Sequence, residues 1–490
     1  MEFQAPSLNI LLILPFLIVA GTAALMMFLE LFVNDKQKQL FPWLSLVGLT
    51  AAFVASAMLW GQNKGTFIPE GGPPMIMVDN FATFLNVTFV LTGFITILLA
   101  MTYLPRTNLD RPEFYMLVLL SLSGMMLMGM ANDLILIFLA LELLSIPLYI
   151  LSGMAVPRPD SEESAMKYFL LGAFSSGILV FGIVLVYGAT ASTALPEILT
   201  AITSGTTLAL AGAAFLLVGF AFKVAAVPFH MWTPDVYEGA PTAVTAFMSV
   251  GAKVGGFAAM LRIFVMALPN LGDTWIGAVA AIATLTLIVG NVVALAQTNI
   301  KRLLAYSSIA HAGYILIAVA ASAKVPDAVG AALFYMFAYL FTTLGAFGVV
   351  IALEHKWGEG THLDDYKGLG QRSPALALAM AFFMLSLTGI PPTGGFSGKL
   401  YVFRTALEAD LLWLTLVGVV TSVISGYYYL RVVYLMFFEE GEGAVEIKPL
   451  LGTAVAITVI ATALLGFVPG YWFDIARSAI LQAVPLVAGG

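Results

Sequence analysis

Residues 134–151 read LILIFLALELLSIPLYIL, eighteen residues with one charge, Glu142. At 1.5 Å per residue such a run covers most of the roughly 30 Å of bilayer hydrocarbon, where an unpaired backbone amide is too costly for anything but a helix or a closed barrel. Working outward, comparable apolar stretches fall at 8–33, 40–60, 80–104, 112–131, 133–156, 163–190, 207–228, 241–268, 275–298, 301–323, 327–355, 373–405, 410–438 and 449–472, numbered here as segments 1 to 14. A transmembrane barrel would show segments of about ten residues with alternating polarity. These runs are continuous and too long, so the expected fold class is an all-α membrane protein with about 14 transmembrane helices.

Composition agrees. Of 490 residues, 60% are hydrophobic and only 10% are charged, with 21 Lys+Arg against 28 Asp+Glu, and the mean hydropathy is +0.98. A soluble surface draws on roughly 25% charged residues, which this chain lacks. The sequence contains no Cys, which removes thiolate-held iron–sulfur clusters, CxxC redox pairs, Cys zinc sites and disulfides. An acidic balance without a basic stripe argues against nucleic acid as a partner. There is no GxGxxG motif. Gly398-Lys399 resembles the end of a phosphate loop, but Thr393 and Leu400 break that pattern. The start, Met1-Glu2-Phe3, carries no basic leader, and segment 1 is expected to be a retained helix.

Loop charges set the expected orientation. Lys36, Lys38, Arg106, Arg111, Arg158, Lys167, Lys301, Arg302, Lys356, Lys367, Arg372, Arg431 and Lys448 fall on one side, and Lys64, Arg262, Lys324, Arg404 and Arg477 on the other. Positive loops face the cytoplasm. A multi-pass protein of the cell (inner) membrane is expected, with both termini on the non-cytoplasmic side. The loops are short, and the tail from 473 is expected to lie along the membrane interface.

The remaining basic residues lie inside spans, where an ionisable group costs at least about 2.5–3.5 kcal/mol and marks function by default. Glu142 stands among apolar neighbours and reads as a proton-handling acid or as a carboxyl hydrogen-bonded for packing. Lys223 lies in LLVGFAFKVAAVPFHMWTPDVYEGAPTAVTAF (216–247), where Pro228 removes a backbone donor and frees carbonyls. A Lys beside such a break can exchange its proton with a hydrated cavity. Lys253 lies among Gly251, Gly255 and Gly256, which let a neighbouring helix approach but do not account for the charge. Lys399 follows Pro391, Pro392, Gly394 and Gly395, which make segment 12 a second discontinuous helix. His230 and His311 read either as proton carriers or as satisfied core histidines. His355 and His362 sit in a polar loop, and Tyr427-Tyr428-Tyr429 reads as packing or an interfacial belt.

The broken, Lys-bearing segments are five apart. Dividing segments 4–8 (112–268) from 9–13 (275–438) makes each the fourth of five, and an odd count forces the two sets to run in opposite directions. That is an inverted repeat with sites at its broken helices. Residues 1–104 form a three-helix N-terminal unit, and 449–490 a last helix with a short tail. Three lysines and one glutamate suit protons better than Na⁺, which wants oxygen ligands.

LALELLSIPLYIL at 139–151, FKVAAVPFHMWTPDVYEGAPTAVTAF at 222–247, NIKRLLAYSSIAHAGY at 299–314 and SLTGIPPTGGFSGKLYVF at 386–403 together carry a resemblance. The chain resembles, over essentially its whole length, the antiporter-like subunits of bacterial complex I, the proton-pumping NADH-quinone oxidoreductase, and among them the N type. The resemblance implies two half-channels. In them Glu142 pairs with Lys223 and tunes its proton affinity, Lys253 connects the halves, His311 belongs to a central polar axis, and Lys399 serves the exit. His230 joins the relay as a candidate. It also implies no cofactor in this chain, with flavin, iron–sulfur clusters and quinone in other subunits, and as partners the antiporter-like subunit M and the small subunits J and K. The competing expectation is a subunit of a multisubunit cation/proton antiporter. A haem quinol oxidase would need paired axial ligands that His230 and His311 do not offer.

Overall fold

A computed structural model of the chain describes residues 6–34, 37–354, 358–443, 445, 447–479 and 481. Lys36, His355, Lys356 and the end of the tail lie outside the described residues. Twelve helices among those described are long and apolar enough to cross a membrane. Two expected segments are missing from that set because each is split. Segment 7 is Thr207–Lys223 followed by Trp232–Gly239, and segment 12 is Pro374–Thr388 followed by Gly394–Glu408. Fourteen segments, with 7 and 12 discontinuous, are therefore what the chain forms.

Helix starts follow from short polar caps. Asp79 Oδ1 accepts from Ala82 N at 2.7 Å to open segment 3. Asp133 accepts from Ile135 N at 2.8 Å to open segment 5, and Asn299 from Lys301 N at 2.9 Å to open segment 10. Packing repeats between the two sets. Segment 4 lies closest to segment 5 at Gly124, where a Cβ would strike the Leu144 amide. Segment 9 (Gly272–Ala294) lies closest to segment 10 (Ile300–Ala321) at Gly290, where a Cβ would stand 2.7 Å from Ala310 N. Corresponding helix pairs thus use the same device, a glycine that lets two backbones meet.

Burial orders the segments from rim to centre. In the apolar windows of segments 1, 6 and 14 a third of residues are buried, against 89% in segment 8 and 94% in segments 10 and 11. Segments 1, 6 and 14 therefore lie at the rim, while 8, 10 and 11 (Asp327–Leu353) form the most buried part of the chain.

Two features depart from the expected plan. The connection between segments 2 and 3 holds a small antiparallel hairpin, Lys64–Thr66 with Ile76–Val78, turned by the Gly- and Pro-rich 69–74. Arg262, expected near the non-cytoplasmic end of segment 8, is fully buried. It opens a π-helical turn, Arg262–Ala267, and its guanidinium binds Asp79 at 2.8 and 3.1 Å and Gly129 O at 2.7 Å. The fork geometry of Arg suits a bidentate carboxylate, so the charge is satisfied without water. The tail forms a short helix, Pro469–Arg477, as far as it is described.

Candidate functional site

Lys223 is the last residue of the first half of segment 7. Ala225 adopts a left-handed φ of 61° and Pro228 follows, so the helix cannot continue. The released backbone groups find partners. Phe222 O accepts from Trp232 Nε1 at 3.1 Å, and Val227 N donates to Thr286 Oγ1 of segment 9 at 2.9 Å. Trp232 also stacks on Tyr168 of segment 6 with centroids 4.5 Å apart. The break is therefore a built joint.

The Lys223 ammonium is buried and donates to Ser145 Oγ at 2.7 Å and to Tyr168 Oη at 3.5 Å. Ser145 lies three residues after Glu142, on the same face of segment 5. Glu142 is half-buried and accepts from Ser176 Oγ of segment 6 at 2.5 Å. Among the described residues no ion pair joins Glu142 to Lys223, so the expected pairing is indirect. Each charge is held by its own serine, and Ser145, Ser176 and Lys223 line one small cavity between segments 5, 6 and 7. Glu142 acts on Lys223 through space.

Lys253 sits in the middle of segment 8, Thr242–Leu261, every residue of which is buried. Its ammonium donates to Ser308 O at 2.6 Å and also bonds Ser308 Oγ on segment 10. The flanking glycines face neighbours as expected. A Cβ on Gly251 would stand 2.8 Å from the Met125 sulfur, and one on Gly256 3.3 Å from Cγ of Lys223. Gly256 thus seats the stem of Lys223 against segment 8.

In the second repeat His311 bridges two phenols, with Nδ1 2.7 Å from Tyr335 Oη and Nε2 3.2 Å from Tyr429 Oη. Tyr429 Oη also bonds Ser307 Oγ, adjacent to the serine that holds Lys253. Lys399 donates to Leu387 O at 3.0 Å, Thr388 O at 2.8 Å and Ser422 Oγ at 2.8 Å, and its ammonium lies 4.5 Å from the Tyr314 ring centroid. Those carbonyls end the first half of segment 12, so the charge is satisfied by the broken helix itself, with a cation–π contact in addition. Lys253 and Lys399 both act electrostatically on His311.

The structure thus sets Glu142 near Lys223 without a direct bond and links Lys253 to His311 through Ser308, Ser307 and Tyr429, while Lys399 is held separately on Leu387 O, Thr388 O and Ser422. His230 stands apart. It follows the segment 7 break, with Nδ1 buried and without a hydrogen-bond partner among the described residues. The tyrosine triplet divides. Tyr427 is exposed, whereas Tyr428 is buried on Asn291 at 3.0 Å and Tyr429 on His311. Position on the helix decides between belt and site, since only 428 and 429 turn inward.

Residues 131–425 match the family described as "NADH:quinone oxidoreductase/Mrp antiporter, TM". The chain belongs to that family. The region that matches the NADH:quinone oxidoreductase/Mrp antiporter pattern runs from just before segment 5 into segment 13, and so contains Glu142, Lys223, Lys253, His311 and Lys399. Among relatives in the family, NADH-quinone oxidoreductase subunit N of Chloroflexus aggregans is 45% identical over 99% of both chains. The subunit of the same name in Trichlorobacter lovleyi is 42% identical over 98% of both. A chain of respiratory complex I from Thermus thermophilus, with bound aureothin, superposes with a TM-score of 0.82 at 33% identity, over 94% of this chain and 99% of that one. A chain of the Mrp complex from a Dietzia species has the same fold, TM-score 0.82, at 20% identity over 95% of this chain and 97% of that one.

Proposed function

We infer that this chain is a proton-translocating membrane subunit of an NADH-quinone oxidoreductase, and that it carries protons while the redox chemistry occurs in other subunits. The observation that carries the reading is the line of buried lysines. Lys223, Lys253 and Lys399 are each held by serine hydroxyls or carbonyls and none by a carboxylate, so each is solvated well enough to hold a proton and not bound so tightly that it must keep it. Glu142 supplies the control. It is half-buried beside the Lys223 cavity, where a field change reaching it from a neighbouring subunit alters the stability of the charge on Lys223. The released proton moves towards Lys253, then through Ser308, Ser307, Tyr429 and His311 to Lys399. His311 and the tyrosines are both donors and acceptors, which proton hand-over requires.

On this reading the units are 1–104, 112–268, 275–438 and 449–490, the positive-rich side faces the cytoplasm, and the neighbours are subunits of the M, J and K types. Flavin, iron–sulfur clusters and quinone belong to those other subunits and their partners. Extraction of a tagged copy in mild detergent tests it. Co-purifying flavin and iron–sulfur absorbance with inhibitor-sensitive quinone reduction is expected, and a colourless assembly exchanging Na⁺ for H⁺ would overturn it. Within the assembled complex, Lys223→Ala is expected to depress NADH-driven proton pumping by about a hundredfold, the scale of a lost acid–base group. Pumping at the parental rate would remove Lys223 from the relay.

A further inference from the structure

We propose that Glu354 is a proton-accepting group at the mouth of a second intake lane, which runs along segment 8 to Lys253 and bypasses Lys223. The proposal rests on the proton-translocating reading above and adds to it a residue and a route.

Glu354 follows the last residue of segment 11, at the positive-rich side, and is 1% exposed. A carboxylate at a helix C-terminus opposes the helix dipole, so this position is a poor one for an acid kept only for packing. The surroundings are built around it. Oε1 accepts from Tyr103 Oη at 3.1 Å and from Gly358 N at 3.3 Å, and Oε2 accepts from Thr242 Oγ1 at 2.5 Å. Tyr103 Oη in turn accepts from Thr242 N at 3.1 Å, so the carboxyl is tied to the positive end of segment 8. The charged and titratable groups around it come from every neighbouring element. These are Tyr103 of segment 3, with Arg106 one turn on and bonded to Ile351 O, Lys301 of segment 10, and Tyr366 of the following loop.

From Thr242 the route inward is legible on one helix face. Thr242, Thr245, Ser249 and Lys253 are spaced 3, 4 and 4 apart, which places them in a row on segment 8, and all are buried. The row spans about 16 Å from the Glu354 carboxyl level to the Lys253 level. Segment 8 is otherwise apolar and glycine-rich, so a polar stripe joining its two titratable partners is not what packing alone selects. At the inner end, Tyr237 Oη is buried beside Ser308, the residue that holds Lys253, and has no hydrogen-bond partner among the described residues. Thr245 Oγ1 donates to the Tyr237 carbonyl at 2.9 Å, which ties that tyrosine to the stripe. A proton taken up by the Glu354 carboxylate passes along these hydroxyls to the neutral amine of Lys253, leaving Glu354 ionised again.

The test uses the whole complex in membrane vesicles and reads NADH-driven proton pumping. Glu354→Gln keeps the shape and the acceptor oxygen but cannot carry a proton, and it is expected to slow pumping about tenfold with assembly intact. Glu354→Asp is expected to recover at least half of the rate. Should the Gln variant fail to assemble, Ser249→Ala carries the test, because among the described residues its hydroxyl bonds its own helix at Ala246 O and ties no second helix. Ser249→Ala is then expected to slow pumping about threefold, and the parental rate would overturn the lane. Parental pumping in Glu354→Gln alongside a defective Lys253→Ala overturns the lane alone. Parental pumping in both variants overturns the reading on which it rests.

Discussion

Lys223 and Lys399 carry the same charge but are held differently, and the difference sets how each responds to loss of a neighbour. Lys223 has one close acceptor, Ser145 Oγ at 2.7 Å, whereas Lys399 has Ser422 Oγ and two carbonyls. Removing the only good partner of a buried charge costs at least the roughly 1–3 kcal/mol of an unsatisfied neutral group, and removing one of three costs less. Ser145→Ala is therefore expected to impair coupled proton pumping several-fold more than Ser422→Ala, and equal effects would show that the serines are not what holds the lysines. At this scale the sequence disclosed the charges and hid their partners. A lysine in an apolar helix announces itself by its cost, but serine and tyrosine are ordinary helix residues, so Ser145, Ser308 and Tyr429 became visible only when other segments met them. Glu354 was hidden for another reason: it lies at the edge of a polar loop, where an acid reads as solvated.

At the scale of elements, Pro alone did not locate the breaks. Pro105 and Pro147 lie inside continuous helices, while segments 7 and 12 break where Pro is joined by left-handed residues, Ala225 and Gly389. Pro228 and the Pro–Gly run at 391–395 were legible, and the contacts that stabilise each break were not, because they form only when the chain folds. Thr286 of segment 9 makes one such contact. Thr286→Val keeps the shape and leaves Val227 N buried without a partner, a loss of about 1–3 kcal/mol. Faster thermal inactivation of the complex is expected, and an unchanged rate would mean that the break is held elsewhere.

Across the whole molecule, burial rises from the rim to segments 8, 10 and 11, and those central helices are less apolar than segments 1, 6 and 14, so the sequence hinted at which helices are central but not at which neighbours cover them. A polar contact adds to the packing of segment 3 against segment 8. Asp79 at the head of segment 3 and Arg262 at the end of segment 8 are far apart in sequence, and Arg262 also holds Gly129 O of segment 4. Breaking one side of a buried pair costs about 3–5 kcal/mol, whereas replacing both with apolar groups is often close to neutral. Asp79→Ala is expected to lower the melting temperature of the assembled complex, and the double variant Asp79→Leu with Arg262→Leu to recover most of the loss. A double variant as unstable as the single would place the loss in the Asp79 cap of segment 3 or in the Arg262 bond to segment 4 rather than in the pair.

The cradle of Lys399 has one more consequence. Its acceptors are carbonyls that exist as free groups only because segment 12 is interrupted, and Gly389, at φ 89°, stands so close that a Cβ there would lie 2.9 Å from the lysine side chain. Whatever the interrupted backbone lends to the ammonium, the ammonium returns to the backbone, since a coupling free energy is the same from either end. On the proton-carrying reading proposed above, a proton on Lys399 would tighten the joint of segment 12, and its loss would free the carbonyls of the first half-helix to take other donors. Ion occupancy and helix geometry are one variable at that point of the chain.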